Sequence, residues 1–273
     1  MKIIKLLFIL FLIFTISSCT FQKLYYYPNV KSTLISLDGF AVEDFFIPSK
    51  NGKKINCVFI KPQVKPIATI LFLHGNSGNI EDWSQGYKIM VKKGFQIMTF
   101  DYQGFGKSEG APSHQNLLDD AQSVLDYTKK REEVKNTKFV VLGCSIGGHL
   151  AVKLTNENQD KIDLMVIEGA FTTHKQVAGV NAPFLLRFAS HFLVKSSYKA
   201  TKNIGNIKIP KLIIHSTEDK TCPYWMGAKL FEKATEPKTF WEIKGRHVHG
   251  VIDYPEEYPN KIIELLKGIT PKN

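Results

Sequence analysis

Arginine is scarce in this sequence. Only Arg131, Arg187 and Arg246 stand among 36 basic residues, which face 25 acidic ones and leave a net charge of +11. The longest basic run is Lys129-Lys130-Arg131. A nucleic-acid reader concentrates Lys and Arg on one element, so no nucleic-acid partner is expected. The surplus charge suits solubility and attraction to anionic lipid. Cysteine is sparse as well: Cys19, Cys57, Cys144 and Cys222 are too few and too scattered for a disulfide scaffold, and no essential disulfide is expected. No short period repeats, which excludes a solenoid. What is present is a chain of 273 residues with 44% hydrophobic and 22% charged residues, enough to bury the core of one large domain or two small ones.

The N-terminus carries a targeting pattern. Lys2 and Lys5 precede the apolar stretch Leu6 to Ile16, broken only by Thr15. That length suits the core of a signal peptide and falls short of the roughly 20 residues of a membrane span. Ile16-Ser17-Ser18-Cys19 then resembles the bacterial lipobox. The resemblance implies a signal peptide over 1–18 and a lipidated Cys19 that becomes the N-terminus. The mature chain, at +9 after loss of Lys2 and Lys5, would be held at a membrane surface of the bacterial cell envelope, facing periplasm or exterior. The alternative is an ordinary secretory signal with an incidental cysteine. Residues 19–38 read as a tether, with the aromatic Leu24-Tyr25-Tyr26-Tyr27-Pro28 packing on the domain.

From Gly39 the pattern changes. Ala41 to Ile47 and Asn56 to Lys61 flank Asn51-Gly52, a hairpin signal. Then come apolar runs of strand length: Ile67 to His74, Phe95 to Phe100, Lys138 to Leu142, Asp163 to Glu168, Lys211 to His215 and Thr239 to Ile243. Near-continuous runs predict parallel strands buried on both faces. Leu117 to Lys130, Ser145 to Asn156, Pro223 to Ala234 and Pro255 to Lys267 space their apolar residues as helices do. The alternation predicts an α/β domain over 39–273, a mostly parallel doubly wound sheet with an antiparallel hairpin at its start. Residues 178–209, rich in Phe and Leu, read as a small helical cap.

Chemistry centres on Gly143-Cys144-Ser145-Ile146-Gly147-Gly148, which follows the strand Phe139-Val140-Val141-Leu142 and opens a helix. Composition alone predicts about 0.07 occurrences of Gly-x-Ser-x-Gly in such a chain, so chance is a poor explanation. A strand-to-helix setting is what a nucleophile elbow requires: the serine occupies a strained turn, and the glycines keep β-carbons out of its crowded flanks. Ser145 is the candidate nucleophile.

Two further segments share a family likeness. Ile70-Leu71-Phe72-Leu73 ends in His74-Gly75-Asn76, and Asp101-Tyr102-Gln103-Gly104-Phe105-Gly106 continues to Ser108 and Gly110. With the elbow and Phe171-Thr172-Thr173, these resemble the α/β-hydrolase superfamily over about Gly39 to Lys267, and within it the Bem46-like serine hydrolases that include the human depalmitoylating α/β-hydrolase-domain proteins. Gln103 stands where that family has Arg. The resemblance implies an oxyanion hole from the backbone N–H groups of Asn76 and Ile146, with His74 orienting the loop. It also implies an acid at Asp219, in Ser216-Thr217-Glu218-Asp219-Lys220-Thr221-Cys222-Pro223, where Cys222 stands for the usual Val. Glu218 is the adjacent alternative, and Glu168 reads as structural. The base implied is His247, in Gly245-Arg246-His247-Val248-His249; His249 stays open, on the expectation that in an extended loop the two rings point apart.

Together these imply a serine hydrolase of small-molecule acyl esters or thioesters, working through an acyl-enzyme. No metal or cofactor is expected, since no set of side chains has ligand spacing. The alternatives are a peptidase of prolyl-oligopeptidase type and an inactive lipid-anchored binding protein.

Overall fold

The computed structural model describes residues 26–31, 37, 39–182, 187, 194 and 198–272. The expected signal and Cys19 lie outside the described residues, as does the middle of the expected cap, Phe184, Leu185, Leu186, Phe188, Phe192 and Leu193 among them. Among the described residues no helix is long and apolar enough to cross a membrane.

An eight-stranded sheet forms the body of the domain. β1 (Ala41–Pro48) and β2 (Lys54–Lys61) pair antiparallel around the expected turn, where Gly52 takes a φ of 79°. β3 (Ala68–Leu73), β4 (Phe95–Phe100), β5 (Lys138–Cys144), β6 (Leu164–Glu168), β7 (Lys211–Ser216) and β8 (Lys238–Ile243) complete it. The spatial order is β8-β7-β6-β5-β3-β4-β2-β1, and every pairing from β4 to β8 is parallel. The chain therefore leaves β3 to one side for β4 and returns on its other side for β5. In open α/β sheets ligands bind at such a reversal, beyond the carboxyl ends of the strands. Here those ends lead into His74-Gly75-Asn76 and into Ser145.

Each inner strand feeds two cores, because successive side chains point to opposite faces. In β5, Phe139 and Val141 join one cluster while Val140, Leu142 and Cys144 join the other. The first cluster is closed by α2 (His114–Lys129), α3 (Ile146–Glu157) and α6 (Tyr224–Lys233), with α4 (His174–Asn181) and α5 (Ala200–Asn203) at its edge. The second is closed by α1 (Ser84–Lys92) and α8 (Glu257–Leu266), with the single turn α7 (Gly250–Asp253) between them. Burying each large apolar side chain contributes about 1.5 to 3 kcal/mol, so a polar substitution on either face of β5 would unsettle a whole layer.

Four of these helices lie where spacing predicts them. α2 begins three residues before its apolar pattern because Ser113 caps it, Oγ accepting the Asn116 N–H at 3.1 Å. Sequence reading passes over α1, although Tyr87, Met90 and Val91 stand at helical spacing. Its entry is fixed by chemistry: Asn79 and Asp82 exchange side chain-to-backbone hydrogen bonds in a capping box around the turn Ile80–Trp83, which runs into α1.

Part of the expected tether packs, as its aromatic content predicts. Tyr26 is buried edge-on against Phe105 at 6.3 Å, with its hydroxyl 2.5 Å from His114 Nδ1. Tyr27 N–H donates to the Asn76 carbonyl at 2.9 Å, Asn29 N–H to Gly78 at 3.0 Å, and Gly106 N–H to Asn29 at 3.0 Å. Residues 26–29 thus form a strap across two loops at the carboxyl ends of the strands.

Beneath that strap three imidazoles cluster in the core. His114 and His174 lie 3.8 Å apart between ring centres, His174 and His149 4.5 Å, and His149 is stacked on Phe171 at 4.3 Å. Burial disfavours their charged forms and lowers His114 and His149 to about 4. A histidine whose folded pKa lies below its unfolded value near 6.5 leaves stability intact above that value and removes it as pH falls toward 4. His149→Phe keeps the stack without the titration. Between pH 7.5 and 4.5 the stability of this variant relative to wild type is expected to shift in its favour by about 2 kcal/mol, as measured by urea denaturation at the two pH values. A difference independent of pH would mean that His149 does not titrate with folding.

Candidate active site

Ser145 sits at the end of β5 with φ 57° and ψ −117°, a conformation that L-residues avoid. Its surroundings enforce it. Ser145 N–H donates to the Glu168 carbonyl at the end of β6 at 2.8 Å, and the Ser145 carbonyl accepts from His149 N–H at 3.0 Å as α3 begins. The flanking glycines are there for space: a β-carbon on Gly147 would stand 2.0 Å from the Leu73 carbonyl oxygen, and one on Gly143 2.2 Å from the Gly147 carbonyl oxygen. The turn thus presents the hydroxyl above the sheet.

Two loops bring partners to it. Ser145 Oγ lies 2.9 Å from His247 Nε2, and His247 Nδ1 lies 2.6 Å from Asp219 Oδ2. With Nδ1–H donating to the carboxylate, Nε2 is left as an acceptor for the serine hydroxyl. Asp219 is itself fixed, because its Oδ1 accepts from Thr221 N–H at 2.9 Å and from Cys222 N–H at 2.8 Å. Ser145 and Asp219 are buried, and the His247 ring is partly open to solvent.

The other candidates take supporting places. Glu218 Oε2 accepts from Gly245 N–H at 3.0 Å, and Glu168 Oε1 accepts from Gly250 N–H, the first of α7, at 2.7 Å. These two carboxylates bracket the loop that carries His247. His249 faces away from Ser145, with Nδ1 3.0 Å from Asp253 Oδ1 and Nε2 3.0 Å from an Arg246 Nη2. The loop is not extended, contrary to expectation. Residues 247 and 248 form a turn in which Val248 adopts φ 51°, rare for a β-branched residue, and this turn is what separates the two histidines. His74 lies with its Nδ1 2.7 Å from the Gly75 carbonyl oxygen, and burial lowers its pKa to about 4.

The two expected oxyanion donors border the serine. Ile146 opens α3, so its N–H is among the first four of a helix, which have no intrahelical partner. Gly75 packs against the serine from the other side, since a β-carbon there would stand 3.8 Å from Ser145 Cβ and 3.0 Å from the Trp83 ring. Asn76 follows it directly.

Sequence reasoning passed over two neighbours of the site. Trp83 was invisible because it belongs to a turn made by capping rather than by a motif. The Cys222 thiol, which meets the Ser145 hydroxyl and is held protonated by burial, forms a wall that only the fold reveals. Gln103 was noted for its missing charge. It gives both its backbone N–H and its amide to buried Asp120, at 2.8 and 2.7 Å, and that carboxyl, with desolvation dominant, rises to about 6.

Several known proteins are similar to this chain. The family described as serine aminopeptidase, S33, matches residues 64–203. The α/β-hydrolase domain-containing protein WAV2 of Arabidopsis thaliana is 32% identical over 84% of this chain and 80% of its own. The chain belongs to the α/β-hydrolase family. A further relative of this hydrolase, the mouse lysophosphatidylserine lipase ABHD12, is 30% identical over 72% of the chain and 54% of its own length. Among solved structures, the Pyrococcus furiosus esterase Pf2001 superposes with a TM-score of 0.73 at 21% identity, covering 89% of the hydrolase and 98% of that chain.

The crowding around the elbow yields a ranking of glycine variants. Gly147→Ala drives a methyl into the Leu73 carbonyl and is expected to destabilise the hydrolase by at least about 3 kcal/mol. Gly52→Ala meets no atom within 4 Å and is strained only by its φ, for about 1 kcal/mol. Thermal denaturation of the two variants checks the order, and the reverse order would mean that contact at residue 147 is not what requires glycine.

Proposed function

We propose that this chain is a serine esterase that cleaves carboxylic esters or thioesters through an acyl-enzyme, with Ser145 as nucleophile, His247 as general base and acid, and Asp219 as the group that orients His247. The unbroken path from Ser145 Oγ to His247 Nε2 and from His247 Nδ1 to Asp219 carries the reading.

The steps follow from that geometry. Ser145 Oγ attacks the substrate carbonyl carbon as its proton passes to His247 Nε2. The imidazolium that forms is stabilised by Asp219 through Nδ1–H. Charge develops on the former carbonyl oxygen, where the N–H groups of Asn76 and Ile146 receive it. Collapse of the tetrahedral adduct breaks the bond to the leaving alcohol or thiol, which takes the proton from His247. Water, deprotonated by the same histidine, then releases the acid and restores Ser145.

The names of the mouse lipase and the archaeal esterase support ester over amide substrates. The serine aminopeptidase family model makes an aminoacyl-amide the necessary comparison. From the lipobox-like Ile16-Ser17-Ser18-Cys19 alone we further propose that the mature chain is acylated at Cys19 and held at the membrane surface of the bacterial cell envelope. Mass spectrometry of the native protein showing an unmodified Cys19 would remove that part of the proposal.

Ser145→Ala is expected to keep the fold and to lower turnover of p-nitrophenyl esters by roughly 10⁴ to 10⁶. His247→Ala should cost about as much, and His249→Ala far less, because only the first ring reaches both partners. Retention of more than a tenth of wild-type turnover in Ser145→Ala would overturn the nucleophile. The opposite ranking of the histidines would move the base to residue 249, and faster release of an aminoacyl-p-nitroanilide than of any ester would make the chain a peptidase.

A further inference from the structure

A cavity of about 480 Å³ opens beside His247 on the face of the sheet covered by α1 and α8. Its depth and its mouth differ in chemistry. The floor is made by Phe72, Tyr87, Met90, Leu142 and Cys144, all buried and all part of the second core. The one phenol among them is engaged, the Tyr87 hydroxyl meeting Thr99 Oγ1 at 3.1 Å. The Cys144 thiol is held protonated by burial. Water there would find few partners, and apolar cavities without such partners stay dry and accept apolar guests.

The mouth is polar. Asn29, Ser77, Asp82 and Gln85 surround it, next to His247 and His249. Between mouth and floor the walls are α1 and the turn α7, and they approach through a glycine: a β-carbon on Gly86 would meet Val251 Cγ1 at 3.1 Å. Trp83 lines the same cavity, and its ring lies against Gly75, the residue that packs on Ser145. Gly75 and the Trp83 ring are thus what stand between Ser145 and the cavity, whose mouth His247 shares.

We propose that this cavity holds the unbranched acyl chain of the substrate, with the ester carbonyl at Ser145, the chain passing Trp83, and the methyl end on the floor between β3 and β5. The inference rests on the serine-esterase reading and narrows it to acyl esters of medium chain length. A volume near 480 Å³ lies within the roughly 300 to 1,000 Å³ of sites that enclose small ligands. The polar mouth suits the ester group and whatever headgroup leaves, and the carbon-lined floor suits only the tail. Gly86 sets the width of the passage.

The test is a chain-length series on the purified full-length protein, with p-nitrophenyl acetate, butyrate, hexanoate and octanoate. Each methylene taken from water into such a site raises kcat/KM about fourfold, so octanoate is expected to exceed acetate by at least about a hundredfold. Gly86→Leu closes the passage from α1 and Val251→Trp closes it from α7. Each should reduce the ratio of octanoate to acetate at least tenfold, and the pair covers the case in which one variant does not fold. In the wild type, a fluorophosphonate with an octyl chain should label Ser145 faster than its ethyl counterpart. Acetate turnover with a flat chain-length profile, or a steep profile that neither folded variant alters, would overturn the cavity and leave the esterase standing. No turnover of any ester and no phosphonate labelling would overturn both.

Discussion

A serine backbone held at φ 57° is the constraint on which this site depends. Left alone, that conformation costs of order 1 to 3 kcal/mol, so the surrounding packing must over-determine it. β3, β5 and β6 do so together. Leu73 closes over Gly147, Glu168 receives the Ser145 N–H, and α3 takes up the chain one residue later. If any of these contacts relaxed, the hydroxyl would lose its place against His247. The buried sheet is what makes the turn rigid.

The partners of Ser145 are held by a different device. His247 lies in a loop that meets the second core through Val248, and polar groups complete its placement. Three carboxylates restrain it: Asp219 at the ring, Glu218 at Gly245 and Glu168 at Gly250. Glu168 links both halves of the site, since its main-chain carbonyl fixes Ser145 while its side chain fixes the turn that follows His247. Neighbouring acidic residues thus divide into one that meets the imidazole and two that hold its backbone.

Much of this was legible in the residues themselves. Near-continuous apolar runs disclosed the buried parallel strands, and glycines at 143 and 147 marked a backbone too crowded for side chains. The likeness of Ser216 to Pro223 to a known acid loop singled out Asp219 over Glu218, although the two are adjacent and chemically similar. What stayed hidden was made by long-range contact. Trp83 and α1 arise from a capping box whose members carry no hydrophobic period. The separation of His247 from His249 comes from a left-handed Val248 that no propensity would place there. The proximity of Cys222 to Ser145 joins residues 77 positions apart.

With Cys19 anchored in lipid as proposed, the strap at Tyr26 would limit how the molecule can be oriented. It is stitched to the loop of Asn76 and Gly78, at the carboxyl ends of the strands, rather than to the far end of the sheet. Six residues lie between Cys19 and Tyr26, and the seven steps from one to the other reach at most about 25 Å when fully extended. Anchored through Cys19, the domain could not roll over: a leash this short and this placed would keep the serine-bearing rim within about 25 Å of the lipid, and the opposite end of the sheet turned toward water.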